Sequence, residues 1–416
     1  MRPLPQKSKV VLLGAAGGMG RVAAELVAAM GNVSELVLAD RNLSGAAKLA
    51  TELDLASQAA VRAVGVDVTD LPALGALLEP ADVVLNTSGP FYRFGVPILR
   101  TAIETGCHYL DICDDWEPTI EMLALAEEAR AAGVCAVIGI GASPGALNLL
   151  ARLACERLDV VEDLHTVWPI DAGEGGASAA TDTGGQGAAA AVVHWMQQIS
   201  GTIETVEDGV RVSSRPIVPV RLRYPQVGEG TAYTVGHPEP ITLHATMKVQ
   251  GRSANLMLLQ PMTAAFLDVL RDDIDRGRLS CDRAADLVFR PGRIRSLRAA
   301  WRRPRFEGPG GLPPFFAVAC GTRDGEGRLV GAHVEALPEG MARVTSVPLA
   351  LGLQQLLAGQ IASPGVHPPE AVILPEPLFD GLAQACDPPL ATMADMVRIL
   401  EEPAASAGGS GSTRSR

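Results

Sequence analysis

The chain has 416 residues, 47% of them apolar and only 4% aromatic, which supplies one large core or two ordinary ones and favours close helix–sheet packing over a β core of bulky rings. A formal net charge of −12 argues against nucleic acid as a partner, because phosphate binding needs a basic face. No segment offers the roughly 18 uninterrupted apolar residues of a membrane helix, and no secretory apolar region precedes the first strand, so no membrane partner and a cytoplasmic location are expected.

Strand and helix then alternate through the first third of the chain. Lys9–Leu13 is a short apolar run, as a parallel strand buried on both faces should be. A glycine loop follows, then an Ala-rich helix over Arg21–Met30. Further strands are expected at Glu35–Ala39, Val61–Val66, Asp82–Leu85, Tyr109–Ile112 and Val134–Ile140. Helices fall between them: from Asn42 or Ser44 to about Leu55, from the cap Asp70 through Leu78, over Val96–Thr105 closed by Gly106, and over Pro118–Ala132 closed by Gly133. Such alternation means an α/β fold, a Rossmann-type doubly wound parallel sheet with helices on both faces.

After Ala146 the pattern changes. A helix to Leu158, a strand near Leu164–Ile170, a Gly/Ala/Thr-rich loop over Asp171–Gly187 and a helix around Ala188–Ser200 come first. Strand-like runs follow at Ile217–Leu222, Leu243–Val249, Phe315–Cys320 and Leu329–Ala336, the last two flanking an Asp324-Gly325 hairpin signal. This reads as a second α+β domain. Helices return from Ser346, and a disordered tail is expected from about Pro403. The expected division is residues 1–145 for the first domain, 146–340 for the second, 341–402 for helices packing back on the first, and 403–416 for the tail.

The loop Gly14-Ala-Ala-Gly17-Gly18-Met19-Gly20 lies between a strand and a helix, where glycines permit a tight turn and the helix N-terminus holds a pyrophosphate. Its spacing is GxxGxxG rather than GxGxxG. Asp40, twenty residues after Gly20, can bind ribose hydroxyls and favours NAD, whereas Arg41 beside it can pair with a 2′-phosphate and favours NADP. The coenzyme is therefore read as NAD(P)H, open between the two. Asp67 can bond the adenine amine or simply close a turn. Asn86-Thr-Ser88-Gly89-Pro90 ends the fourth strand on the ligand edge, where small residues let the backbone meet the nicotinamide ribose.

Several stretches carry a family likeness: Asn86-Thr-Ser-Gly-Pro-Phe-Tyr-Arg-Phe-Gly95, Cys107-His-Tyr-Leu-Asp-Ile-Cys-Asp-Asp115, Gly139-Ile-Gly-Ala-Ser-Pro-Gly145, and late in the chain Thr345-Ser-Val-Pro, Ser363–Glu370 and Pro375–Phe379. In this order they resemble the saccharopine dehydrogenase-like family over roughly residues 8–150 and 340–385. The resemblance implies an NAD(P) Rossmann domain, a following α+β substrate domain, and an oxidoreductase acting on a C–N bond of an amino acid, imine or amine. Look-alikes reduce C=C bonds in polyketide assembly, which keeps a C=C (enoyl) or carbonyl reductase open. A non-catalytic NAD(P)-binding sensor or scaffold is the third reading. Family analogy also implies a homodimer through the second domain's sheet. The glycine loop is one residue longer than the family's, and no stretch matches the residues that recognise saccharopine itself.

Hydride transfer to a small-molecule substrate also needs a group that moves a proton. Tyr92 can donate one or merely pack. Asp114 and Asp115, after the fifth strand, can bind an ammonium, act as base, or cap the helix that follows. His194 has a suitable pKa, or is an ordinary buried histidine beside Trp195. Ser143 more readily positions nicotinamide or substrate than reacts, since Pro144 after it has no N–H to offer an oxyanion. Thr183, Gly184 and Gly185, with Trp195, can clamp a substrate carboxylate, or their loop can serve as a lid. Seven cysteines without a CxxC pair and seven dispersed histidines give no metal site by spacing. The run Arg290–Arg305, with seven arginines, reads as a solvated surface helix or interface, with a site for an anionic substrate or a nucleic-acid contact as the alternatives.

Overall fold

The computed structural model describes residues 1–54, 57–169 and 186–404. The first six strands are β1 (Ser8–Leu13), β2 (Val33–Asp40), β3 (Ala60–Gly65), β4 (Val83–Asn86), β5 (His108–Asp111) and β6 (Cys135–Val137). They are followed by β7 (Val160–Pro169), β8 (Ile203–Glu207), β9 (Val210–Ser214), β10 (Pro219–Tyr224), β11 (Gly228–Thr234), β12 (Ser253–Leu258), β13 (Phe316–Arg323), β14 (Glu326–Val334), β15 (Gly365–His367) and β16 (Val397–Pro403).

The first sheet has seven strands in the order β15-β6-β5-β4-β1-β2-β3, paired in parallel throughout. Val10 to Leu13 of β1 are fully buried, each side chain contributing about 2 kcal/mol by leaving water. The order reverses between β1 and β4, so ligands enter there, beyond the carboxyl ends of the strands. The expected doubly wound α/β sheet is present.

Its local signals act as the sequence implies. Asp70 accepts from the Ala73 N–H at 3.1 Å and caps the helix Leu71–Leu78. Gly106 closes the helix Phe91–Thr105 with φ +73°. That helix starts five residues before the expected Val96, because Pro90, extended at φ −78° and ψ 140°, caps it ahead of Phe91, and it continues through Pro97. The helix expected over Pro118–Ala132 is two, Trp116–Leu123 and Ala126–Ala131.

The second sheet runs β10-β11-β12-β7-β13-β14-β16, with β8 pairing β12 and β9. Only β12 and β7 pair in parallel; the rest is antiparallel. The Asp324-Gly325 turn joins β13 to β14 with φ of 53° and 78°, the left-handed pair a tight hairpin demands. Asp208-Gly209 does the same between β8 and β9, with φ of 50° and 68°.

One expected strand is a helix. Leu243–Val249 alternates apolar and polar residues, yet Glu239–Met247 is helical. Pro240 sits in its first turn, where no N–H is needed, and Lys248 ends it with φ +55°. The helix buries Ile241, Thr242 and Leu243 against the second sheet.

A continuous core joins the two sheets. Residues of the helices Ala146–Cys155 and Met341–Leu357 belong to it, together with Val10 and Leu12 of the first sheet and Leu164, Ala317 and Ala332 of the second. Residues beyond 340 divide between the sheets: β15 extends the first and β16 the second. Chain expected to be tail from about Pro403 is ordered through β16 to that residue, and 405–416 lie outside the described residues.

Candidate active site

β1 runs into Gly14, whose φ is +78° and whose added Cβ would lie 2.9 Å from the Thr87 carbonyl. A Cβ on Gly20 would sit 2.1 Å from the Gly14 oxygen. The helix Gly18–Ala28 can therefore start hard against the strand end only with glycine at these positions. Its cap, Gly17, has no side-chain partner, and its first turn carries no acid. The N–H groups of Gly18, Met19 and Gly20 are thus left to an anion at the positive end of the helix. A coenzyme diphosphate fits this cradle.

The Asp40 carboxylate is spent on backbone. Its Oδ2 accepts from the Ala16 N–H at 2.9 Å and its Oδ1 from the Asn42 N–H at 2.7 Å. Asp67 closes a turn, accepting from the N–H and hydroxyl of Thr69 at 2.9 and 2.7 Å. Those bonds hold its carboxyl below the ordinary value, aided by Arg41 and Arg93. Ser88 donates its N–H to Asn86 Oδ1 at 2.9 Å, and a Cβ on Gly89 would meet nothing within 4 Å. Space beside Gly89, where Pro90 begins the next helix, is open to a ligand.

A buried chain runs beneath this edge. Asn86 Nδ2 donates to the Tyr109 hydroxyl at 3.0 Å, which donates to Asp111 Oδ2 at 2.7 Å. Asp111 Oδ1 accepts from the N–H groups of Cys113 and Gly139 at 3.0 and 2.6 Å. Burial pushes the Asp111 carboxyl up to about 6. It ties the turns after β4, β5 and β6 into one rigid lip.

On that lip the fold gathers three groups expected from sequence. His194 Nε2 lies 3.3 Å from Asp114 Oδ1 and 3.3 Å from Asp115 Oδ1. Gln198, one turn further along the histidine's helix, donates to the Asp114 carbonyl at 3.2 Å. Burial opposes charge on the imidazole, but the two carboxylates outweigh it and lift His194 to about 9. Burial likewise opposes charge on Asp114, yet His194 holds that carboxyl at about 2. For Asp115 burial prevails and, reinforced by Asp114, raises it to about 6. Two adjacent carboxylates are thus driven apart in proton affinity, the pattern that separates acid from base in catalytic sites. Asp114, Asp115 and His194 also offer ligand atoms within 4.8 Å of one another, a proximity that sequence spacing does not reveal.

A second polar group adjoins it. Ser143 donates its hydroxyl to Glu239 Oε1, and Asn255 Nδ2 lies 3.4 Å from the same hydroxyl. Asn255 Oδ1 accepts from the Trp168 indole at 2.7 Å. His237 Nδ1 is 3.4 Å from Glu239 Oε2, and neither atom has a hydrogen-bond partner among the described residues. His237 is close enough to help lower Asp114.

Tyr92 stands apart from this core. Its side chain is 53% exposed, and its backbone N–H donates to Asp115 Oδ2 at 3.0 Å. Trp195 packs in the second unit's core, its indole donating to Met257 Sδ at 3.3 Å. Thr183, Gly184 and Gly185 lie outside the described residues. Sequence reading missed Asp111, Gln198, His237, Glu239 and Asn255. Asp111 could have been found, since Tyr109 and Asp111 share a face of β5; the others are lone polar residues that only the fold assembles.

Residues 10–137 match the family described as "Saccharopine dehydrogenase NADP binding domain". The chain is 22% identical to carboxyaminopropylagmatine dehydrogenase of Synechocystis sp., over 91% of this chain and 96% of that protein. A trans-acting enoyl reductase of Mycobacterium tuberculosis is 31% identical over 27% of each chain. Saccharopine dehydrogenase (L-Glu forming) of Saccharomyces cerevisiae shares the fold with a TM-score of 0.61, at 16% identity, over 95% of this chain and 100% of that one. With a glycine cradle on the first sheet and a carboxylate–histidine group on its lip, the chain is an NAD(P)-dependent oxidoreductase whose first domain matches that of the saccharopine dehydrogenase family.

Proposed function

We propose that the chain oxidises or reduces a C–N bond of an amine, imine or amino acid, with residues 1–145 holding the coenzyme and 146–340 supplying most of the substrate surface. The observation that carries this reading is the Asp114–Asp115–His194 group. Its two carboxylates favour a substrate nitrogen that is cationic at some point in the reaction. The coenzyme, when bound at the glycine loop, supplies or accepts the hydride.

The chain's own residues handle the proton. Near neutrality Asp114 is ionised and His194 protonated, so they neutralise one another and hold the helix bearing His194 against the lip. Asp115, raised to about 6, takes a proton from a substrate ammonium in one direction and returns it in the other. The Tyr92 N–H fixes one Asp115 oxygen and leaves the carboxylate oriented for that exchange. Ser143, held by Glu239, positions substrate rather than reacting.

We also propose NADP as the coenzyme, because both Asp40 oxygens are occupied by backbone N–H groups while exposed Arg41 stands beside them for a 2′-phosphate. A homodimer through the second sheet belongs to the same proposal, and light scattering at micromolar concentration checks it.

The deciding experiment follows NADPH absorbance with panels of 2-oxo acids and aldehydes, each with and without a primary amine. Turnover that needs the amine supports the reading. Amine-independent reduction of an α,β-unsaturated thioester would replace it with enoyl reduction, the activity in the name of the partial relative.

A further inference from the structure

The run of seven arginines from Arg290 to Arg305 has no part in the chemistry above. Some of its charge is used internally. Arg295 and Arg298 bond Asp273, itself buried, at 2.9 Å, and Arg302 bonds Asp268 and Asp272 at 2.5 and 2.6 Å. These pairs fasten the helix Arg293–Arg302 to the helix Pro261–Asp275. They leave a different set of arginines unneutralised.

That set converges on a cleft of about 870 Å³ beside the helix Cys281–Phe289. Arg278, Arg283 and Arg290 line it, beside the Asp273-paired Arg295 and against one acid, Asp286. Arg278, Arg283 and Arg290 have no carboxylate within ion-pair distance among the described residues. The volume lies in the range of small-molecule sites. Ser280 sits on the wall as the cap of the helix, so the helix's positive end faces the same region. Leu279 and Leu287 give an apolar lining, and the ring of Phe289 is 48% exposed.

Like charges that converge in a concavity repel unless an anion joins them, and a cleft with low-dielectric walls concentrates their field. In a chain of net charge −12 this local excess is not a consequence of composition. Guanidinium groups carry forked donors suited to phosphoryl oxygens, and an exposed phenyl ring on the same lining suits a flat ring. We propose that this cleft binds an organic polyphosphate bearing a flat ring, of the nucleotide class, at a site separate from the glycine loop. The helix that carries Arg283 packs on the helix that carries His194, so the cleft belongs to the second unit and not to the coenzyme edge.

The test is titration calorimetry on the full chain with two probes, ATP and inorganic pyrophosphate, without magnesium and at low salt. Each is titrated into the wild-type chain and into Gly17→Asp, which blocks the glycine loop. ATP should bind both equally well. The variant Arg278→Glu/Arg290→Glu should lose at least about tenfold in affinity for both probes, the worth of one charge-assisted contact. Phe289→Ala should weaken ATP and leave pyrophosphate unchanged. Arg278→Lys/Arg290→Lys should retain most pyrophosphate affinity, and an unchanged melting temperature shows each variant folded. Loss of ATP binding in Gly17→Asp but not in the Arg278→Glu/Arg290→Glu variant overturns the proposal, placing ATP in the glycine loop. So does equal binding by the Glu variant, or no binding of either probe at low millimolar concentration.

Discussion

The Ser143 hydroxyl donates a hydrogen bond to the Glu239 carboxylate across 96 positions of sequence. Ser143 lies in the turn after β6, and Glu239, wholly buried, opens a helix packed on the second sheet. One side chain thus locks the lip of the coenzyme sheet to the unit opposite. Glu239→Ala should leave Ser143 and His237 without this partner and cost about 2–4 kcal/mol in urea unfolding, whereas Glu239→Gln keeps an acceptor and should cost about 1 kcal/mol. Equal losses in the two variants would show that packing, not the hydrogen bond, matters there.

The glycine loop makes a sharper prediction. Gly20→Ala forces a methyl group to within 2.1 Å of the Gly14 oxygen, so the helix must retreat from the strand. Gly17→Asp instead keeps the backbone and sets a carboxylate against the diphosphate. Both should weaken NADPH by about a hundredfold or more, roughly 3 kcal/mol. Calorimetry with circular dichroism separates lost binding from lost fold.

Arg41→Ala addresses the choice of coenzyme. If a 2′-phosphate is held there, NADPH affinity should fall about tenfold or more and NADH affinity should barely move. An equal change for both coenzymes, measured by fluorescence titration, would remove Arg41 from that role.

The pH dependence of kcat/KM should be bell-shaped. Activity rises as Asp115 loses its proton through about 6 and falls as His194 loses its own through about 9. His194→Asn should abolish the alkaline limb and raise Asp114 toward ordinary values. Stability has its own sign: the folded pKa of His194 lies above 6.5, so its contribution is full below that value and is lost as pH rises through about 9.

Glu370 offers a stability test away from the site. It is buried, accepts from Asn148 Nδ2 at 2.9 Å and from the Thr246 hydroxyl at 3.2 Å, and burial raises it from 4.5 to about 7. A raised carboxyl stabilises the fold most below its unfolded value, so stability should decline as pH rises from 4.5 through about 7. The decline should be on the order of 2–3 kcal/mol. Glu370→Gln should flatten that slope in chemical denaturation at pH 5 and 8.

Much of the coenzyme half is legible because its signals are local. The β1–loop–helix passage, the Asp70 cap and the Gly106 stop each depend on neighbours within a few residues. Asp114, Asp115 and His194 were also readable as candidates, since each follows a strand or loop on the ligand edge. Their meeting was not, because a helix some eighty residues away must swing in to complete it. The helix Glu239–Met247 shows the opposite failure: a period of two over Leu243–Val249 was outweighed by Pro240 and by packing on the second sheet. Glu239, which opens it, and His237 just ahead of it were hidden with it.

β15 has one more consequence. It pairs Gly365–His367 with Cys135–Val137, so the coenzyme sheet lacks its outermost strand until residue 367 has been made. A chain emerging from the ribosome would hold β6 as an open edge through most of its synthesis, and so long a loop must close late. The half of the molecule that is easiest to read is therefore among the last to be finished.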